Sequence, residues 1–169
     1  LIAMLALFTI FSNFVVWQNY ASVFSTRFSQ PTADLEYRLP VAEYMEAHTQ
    51  PTDKVVVWGF RPAVYFMSGR EAPASFLPYP LIHVDTPLGY HWADQFYEQL
   101  LASPPTLIVD MTNPTTDPIP VIDQGVRKTQ KTVLRGAVLA PNLELVFEYI
   151  QANYIPAGEI EGYPIYKLK

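Results

Sequence analysis

No cysteine occurs among the 169 residues. Its absence excludes disulfides, CxxC redox chemistry and cysteine-based zinc sites, and leaves the compartment open. Glycine is scarce too, seven residues against sixteen prolines, and the seven are scattered. There is no G-x-G-x-x-G, no P-loop and no G-x-S-x-G elbow, so neither a phosphate cradle nor a hydrolase nucleophile turn is present. Charge is thin: 16% of residues are Asp, Glu, Lys or Arg, against the ~25% usual for globular domains. None of it precedes Arg27. With a net charge of -5 and no Lys/Arg cluster, the chain is not built for nucleic acid, whose phosphates demand concentrated positive charge.

What fills the uncharged front is apolar. Residues 1–24 read LIAMLALFTIFSNFVVWQNYASVF. A helix of that length, at ~1.5 Å per residue, crosses a ~30 Å hydrocarbon core with some tilt. Trp17 and Tyr20 stand where an aromatic belt meets the headgroups. A signal peptide would need a basic flank and a small-x-small cleavage site, and neither is visible. A buried core helix is the other reading, but aromatic and aliphatic residues cover every face here, which suits lipid or a helical bundle better. The expectation is a transmembrane helix, in a chain that opens on Leu1 as part of a longer protein. Only Arg27 and Arg38 are basic between it and Lys54, so the positive-inside rule puts residues 25–169 outside the cytoplasm.

After a polar connector over residues 25–39, the pattern is that of one small domain, residues 40–169. Pro40 suits a first helical turn, with Val41, Tyr44, Met45 and His48 at helical spacing and Pro51 ending the run. Lys54-Val55-Val56-Val57-Trp58 is too apolar for an exposed edge and reads as a central buried strand. Gly59-Phe60-Arg61-Pro62 turns into a short helix that stops at Gly69. Residues 74–77 suggest a second strand, 78–90 a Pro/Gly loop, 91–102 an amphipathic helix, and 106–110 a third strand. Residues 111–123 hold three prolines and form a loop long enough to be functional or mobile. Two helical stretches, 124–134 and 142–153, precede a hairpin of 154–161 with 163–168 around Gly162. The expected fold is a layered α/β sandwich with a small mixed sheet, its first three strands parallel and its hairpin antiparallel, preceded by one transmembrane helix.

Chemistry-bearing residues are few. His83, Asp85 and His91 have a spacing compatible with metal ligation, but such a trio in a loop arises easily by chance and no metal or other cofactor is expected. Asp110 closes a strand, where α/β folds place ligand-binding residues; it equally suits a turn cap before Thr112-Asn113-Pro114. Arg61 and Arg70 bracket the short helix. They suit an anion such as a lipid phosphate, or else each pairs with a carboxylate or caps a carbonyl.

The stretch from Asp53 to Arg70, DKVVVWGFRPAVYFMSGR, resembles a recurring pattern. It is similar to the C-terminal extracytoplasmic domain of bacterial GT-C membrane glycosyltransferases, which include dolichyl-phosphate-mannose protein mannosyltransferases and the aminoarabinose transferases of lipid A. The matching features are Pro51 and Asp53, Trp58-Gly59, Pro62 and Tyr65, Ser68 and Arg70, and Phe76, followed by the Pro105 to Asp110 strand and the hairpin tyrosines Tyr154 and Tyr166. The resemblance covers most of residues 1–169. It implies a membrane enzyme with a polyprenyl-phosphate sugar as donor, bound between a helical bundle and this outer domain. Its partners are then membrane lipid, the lipid-linked donor and an upstream transmembrane bundle of the same chain. The catalytic carboxylate of such enzymes lies in an early outer loop, so no catalytic residue is expected here. A non-enzymatic binding module on a single-helix anchor is the alternative, and a soluble α/β enzyme with a cleaved signal the third.

Overall fold

A computed structural model describes residues 39–59, 61–74, 85–130 and 140–169. All belong to the compact unit Leu39–Lys169. The expected membrane segment, most of the connector, His83 and most of the 74–77 strand lie outside the described residues. Among those described, no helix is long and apolar enough to cross a membrane.

The unit is a mixed α/β fold around one four-stranded sheet. Helix α1 (Pro40–His48) leads into β1 (Val55–Trp58). Next come α2 (Pro62–Ser68), α3 (Pro87–Ala102) and β2 (Leu107–Asp110). Helices α4 (Gln124–Thr129) and α5 (Leu143–Asn153) precede the hairpin of β3 (Tyr154–Ile160) and β4 (Tyr163–Leu168). The sheet order is β1-β2-β4-β3, with β1 and β2 parallel and the other pairings antiparallel. Its parallel part explains the short, wholly buried strands, apolar but for the closing Asp110, since strands covered on both faces have no polar side to show.

Strand alternation divides the core in two. Val55, Val57, Leu107, Val109 and Ile165 face Val41, Ala42 and Met45 of α1 and Val64 of α2. Val56, Trp58 and Ile108 face Phe96 and Leu100 of α3 and Val146, Phe147 and Ile150 of α5. The result is three layers, helix on sheet on helix.

Four sequence expectations shift. Strand β1 is not central among the described strands but ends the sheet order. It is nevertheless buried along its length, and its outward donors find partners among the described residues. Val55 N–H donates to the Glu71 carbonyl at 3.0 Å and Val57 N–H to the Tyr65 hydroxyl at 2.7 Å. The proposed 78–90 loop is shorter at its far end, because α3 starts at Pro87. Thr86 caps it, its hydroxyl accepting from Gly89 N–H at 3.0 Å, a signal in Thr86-Pro87 that outweighs loop composition. Helix α4 ends at Thr129, and residues 131–134 lie outside the described residues. His48 is exposed, stacked on Tyr44 at 3.8 Å, with its Nδ1 2.8 Å from the Tyr44 carbonyl.

Two exposed features close the description. Phe66 on α2 is 90% exposed although it lies between half-buried Tyr65 and Met67. Edge strand β3 is largely exposed and carries Pro156 and a register shift between Pro156 and Gly158. A missing donor and an irregularity both blunt an edge against pairing with another chain. The hairpin turns at Glu161 and Gly162, which have φ of 52° and 81°. A two-residue turn with both φ positive matches the right-handed twist of the strands it joins.

Candidate functional site

In open α/β sheets ligands gather at the carboxyl ends of parallel strands. Here that end is occupied by the chain itself. After β1, Gly59 takes φ of 111°, and a Cβ on it would lie 3.4 Å from the Met111 carbonyl group and the Thr112 side chain. Those distances are ordinary contacts, and it is the positive φ, rarely adopted by residues with a side chain, that favours glycine here. After β2, Asp110 is 2% exposed and serves three donors. Its Oδ1 accepts from Thr112 N–H at 3.1 Å and the Thr112 hydroxyl at 2.5 Å, and its Oδ2 from Ile122 N–H at 2.7 Å. Burial pushes this carboxyl above the usual carboxylate range, with the three hydrogen bonds and nearby Arg127 pulling back. Of the two roles open to Asp110, the geometry is that of the cap.

The long 111–123 loop is tied down at several points. Trp58 Nε1–H donates to the Pro120 carbonyl at 2.7 Å. Gln130 accepts from Val121 N–H at 3.0 Å and donates to the Ile119 carbonyl at 2.8 Å. Arg127 donates to the carbonyls of Val121 and Ile122 at 2.9 and 2.7 Å while its guanidinium lies 3.7 Å over the Phe147 ring. Ile119, Val121 and Ile122 are buried. The loop is a plug over the strand ends.

Arg61 and Arg70 do not converge. They lie at opposite ends of α2, about 10 Å long at helical rise. Arg61 is exposed, with Nη2 3.9 Å from Asp117. Arg70 is 8% exposed and spends its guanidinium on the protein. Nε donates to Thr49 Oγ1 at 2.8 Å, Nη1 to the Ser68 carbonyl at 3.0 Å, and Nη2 to the carbonyls of Glu46 and Thr49 at 3.0 and 2.8 Å. These acceptors include carbonyls at the carboxyl end of α1, which have no intrahelical donor and favour a cation. Arg70 thus caps α1 and clamps it to the end of α2, as the second reading of its sequence position anticipated.

Asp85 is exposed and accepts from the Tyr90 hydroxyl at 2.5 Å; His91 is exposed on α3. Among the described residues no three His, Asp or Glu side chains are placed to hold a metal ion.

Sequence reasoning missed one concavity. An open cleft of about 310 Å³ lies between the start of α4, the outer part of α5 and the hairpin. Ile122, Ile150, Tyr154, Pro156 and Tyr166 supply its apolar walls, and Asp123, Gln124, Gly125 and Gln151 its polar rim. Pro156 and Tyr166 are direct partners across the strand pair. Tyr154 is anchored by its hydroxyl, which donates to the Pro105 carbonyl at 2.7 Å. Tyr166 is half-buried, and its phenol is pushed up to about 12 by burial and by the carboxylates of Asp110 and Asp123. Both tyrosines stand out in the sequence of the hairpin. Their convergence with Gln124 and Gln151 depends on packing between distant elements and has no local signal.

Comparison with protein-family models, curated proteins and solved structures finds no match for this chain.

Proposed function

We propose that the chain is the membrane-anchored outer portion of an integral-membrane glycosyltransferase that draws on a polyprenyl-phosphate-linked sugar. Residues 1–24 anchor it, residues 25–169 lie outside the cytoplasm, and the reacting carboxylate belongs to an earlier loop of the parent protein. The observation that carries this reading is the union, in one chain, of a 24-residue uncharged apolar segment with the Asp53–Arg70 pattern of that family's outer domain. The fold is compatible in detail, because the pattern's residues build architecture. Trp58 fills the core, Gly59 supplies the positive φ of the turn after β1, the Tyr65 hydroxyl accepts a hydrogen bond along the margin of β1 and Arg70 clamps α1. A motif made of scaffold residues suits a domain that shapes one wall of a site whose chemistry lies elsewhere.

The test is reconstitution. Residues 1–169 in liposomes with polyprenyl-phosphate sugars are expected to transfer nothing, whereas the parent protein transfers sugar and loses turnover, with folding intact, when an acidic residue of an early outer loop is replaced. Transfer by the 169-residue chain alone would overturn the assignment of the chemistry. An inactive parent protein would overturn the transferase reading.

A further inference from the structure

The cleft beside the hairpin is distinct from the plugged strand ends, and its lining selects a chemical class. A volume of about 310 Å³ is at the lower end of the ~300–1,000 Å³ range of small-molecule sites, so a compact ligand fits. Its walls offer the rings of Tyr154, Tyr166 and Pro156, while Gln124, Gln151 and Asp123 stand along the rim. No lysine or arginine lines it, and its one charged residue is Asp123. That carboxylate accepts from Val126 N–H at 2.8 Å, fixing its position, and the buried Asp110 adds negative potential at Tyr166. Arg127, near both carboxylates, offsets part of that potential but does not line the cleft. An anionic ligand such as a phosphate would therefore find no basic side chain there to pair with. A purely apolar ligand would take the two rim amides and the second oxygen of the carboxylate out of water with nothing in exchange.

A sugar ring satisfies both halves of this lining. Its C–H faces pack on aromatic and proline rings, and its hydroxyls each donate and accept, matching amides that do both and a carboxylate that accepts. We propose that this cleft, with Tyr166 and Pro156 as its apolar wall and Gln124, Gln151 and Asp123 as its hydrogen-bonding rim, is a binding site for a neutral sugar ring. The site rests on its own lining and not on the transferase reading. Within that reading it would hold the glycosyl or acceptor portion of a substrate, with the donor's phosphate outside it.

The test uses the 169-residue chain in a detergent without a sugar headgroup. Methyl glucoside, mannoside and galactoside serve as probes, followed by saturation-transfer NMR. The chain is expected to saturate the ring protons of at least one glycoside at millimolar concentration. Excess inorganic phosphate should not displace it. Gln124 and Gln151 are exposed, so the double variant Gln124→Ala/Gln151→Ala keeps the fold, confirmed by circular dichroism, and should weaken binding at least tenfold. Tyr166→Phe should retain most of the binding and Tyr166→Ala should lose it. If Tyr166→Ala does not fold, the double glutamine variant still decides. Absence of saturation transfer to all three glycosides, displacement by phosphate, or unchanged binding in the folded double variant would each overturn the proposal. The membrane topology of the chain is measured separately, so failure of this site and failure of the transferase reading are distinguishable.

Discussion

Trp58 concentrates three interactions in one side chain. It is fully buried, lies 5.5 Å from the Phe147 ring edge-on and 6.1 Å from the Phe96 ring, and donates to the Pro120 carbonyl. Replacing it with alanine opens a cavity at the centre of one half of the core and unpins the loop. Trp58→Ala should cost about 3–5 kcal/mol in chemical unfolding. Trp58→Phe, which keeps most of the volume and loses the N–H, should cost markedly less. Asp110 is a second single-residue test. Its two oxygens serve three donors on opposite sides, and an amide offers only one acceptor oxygen. Asp110→Asn should therefore destabilise by about 1–3 kcal/mol through a donor left facing a donor. Retained stability would show that the network is dispensable. Sequence reasoning reached both residues, because a Trp closing an apolar strand and an Asp followed by Thr-Asn-Pro carry local signals. It left the role of Arg70 open, since an arginine two positions past a helix looks the same whether it meets an anion or a neighbouring helix end.

At the scale of elements, legibility followed periodicity. The runs over α1, β1, α3, β2, α5 and the hairpin announce themselves through spacing and proline punctuation, and the structure bears them out apart from shifted ends. Neighbour relations were less legible. The terminal place of β1 among the described strands was hidden because its burial comes from helices on both faces and from Tyr65 and Glu71 along its margin. The order of the loop was hidden as well, because its fasteners lie outside it, in Trp58, Arg127 and Gln130. Gln130→Ala removes acceptor and donor together, and hydrogen exchange at the Val121 amide should accelerate at least tenfold. Unchanged protection would mean the buried side chains alone hold the loop. Arg70→Ala should loosen α1 from α2 and cost about 3 kcal/mol, with Arg70→Lys a poor rescue, since a point ammonium cannot reach acceptors spread around a planar fork.

At the scale of the molecule, buried phenols set an alkaline limit. Tyr65 and Tyr154 are raised by burial, and Tyr166 is raised to about 12 by burial and neighbouring carboxylates. Each keeps its proton in the folded state to a higher pH than in the unfolded chain. Their contribution is therefore whole below about pH 10 and is lost as pH rises from there through the folded values, for Tyr166 between about 10 and about 12. Spectrophotometric titration should show exposed tyrosines ionising first and a late, cooperative step on unfolding. A single transition near 10 with the fold intact would contradict the burial of these rings.

The claim on which the functional account depends is that residues 25–169 lie across a membrane from the cytoplasm, tethered by residues 1–24. A pair of reporters fused after Lys169 tests it most directly, one active only outside the cytoplasm (alkaline phosphatase) and one only inside (a fluorescent protein). The account predicts membrane-bound alkaline phosphatase activity with a dark fluorescent fusion. A bright fluorescent fusion with inactive phosphatase would contradict it.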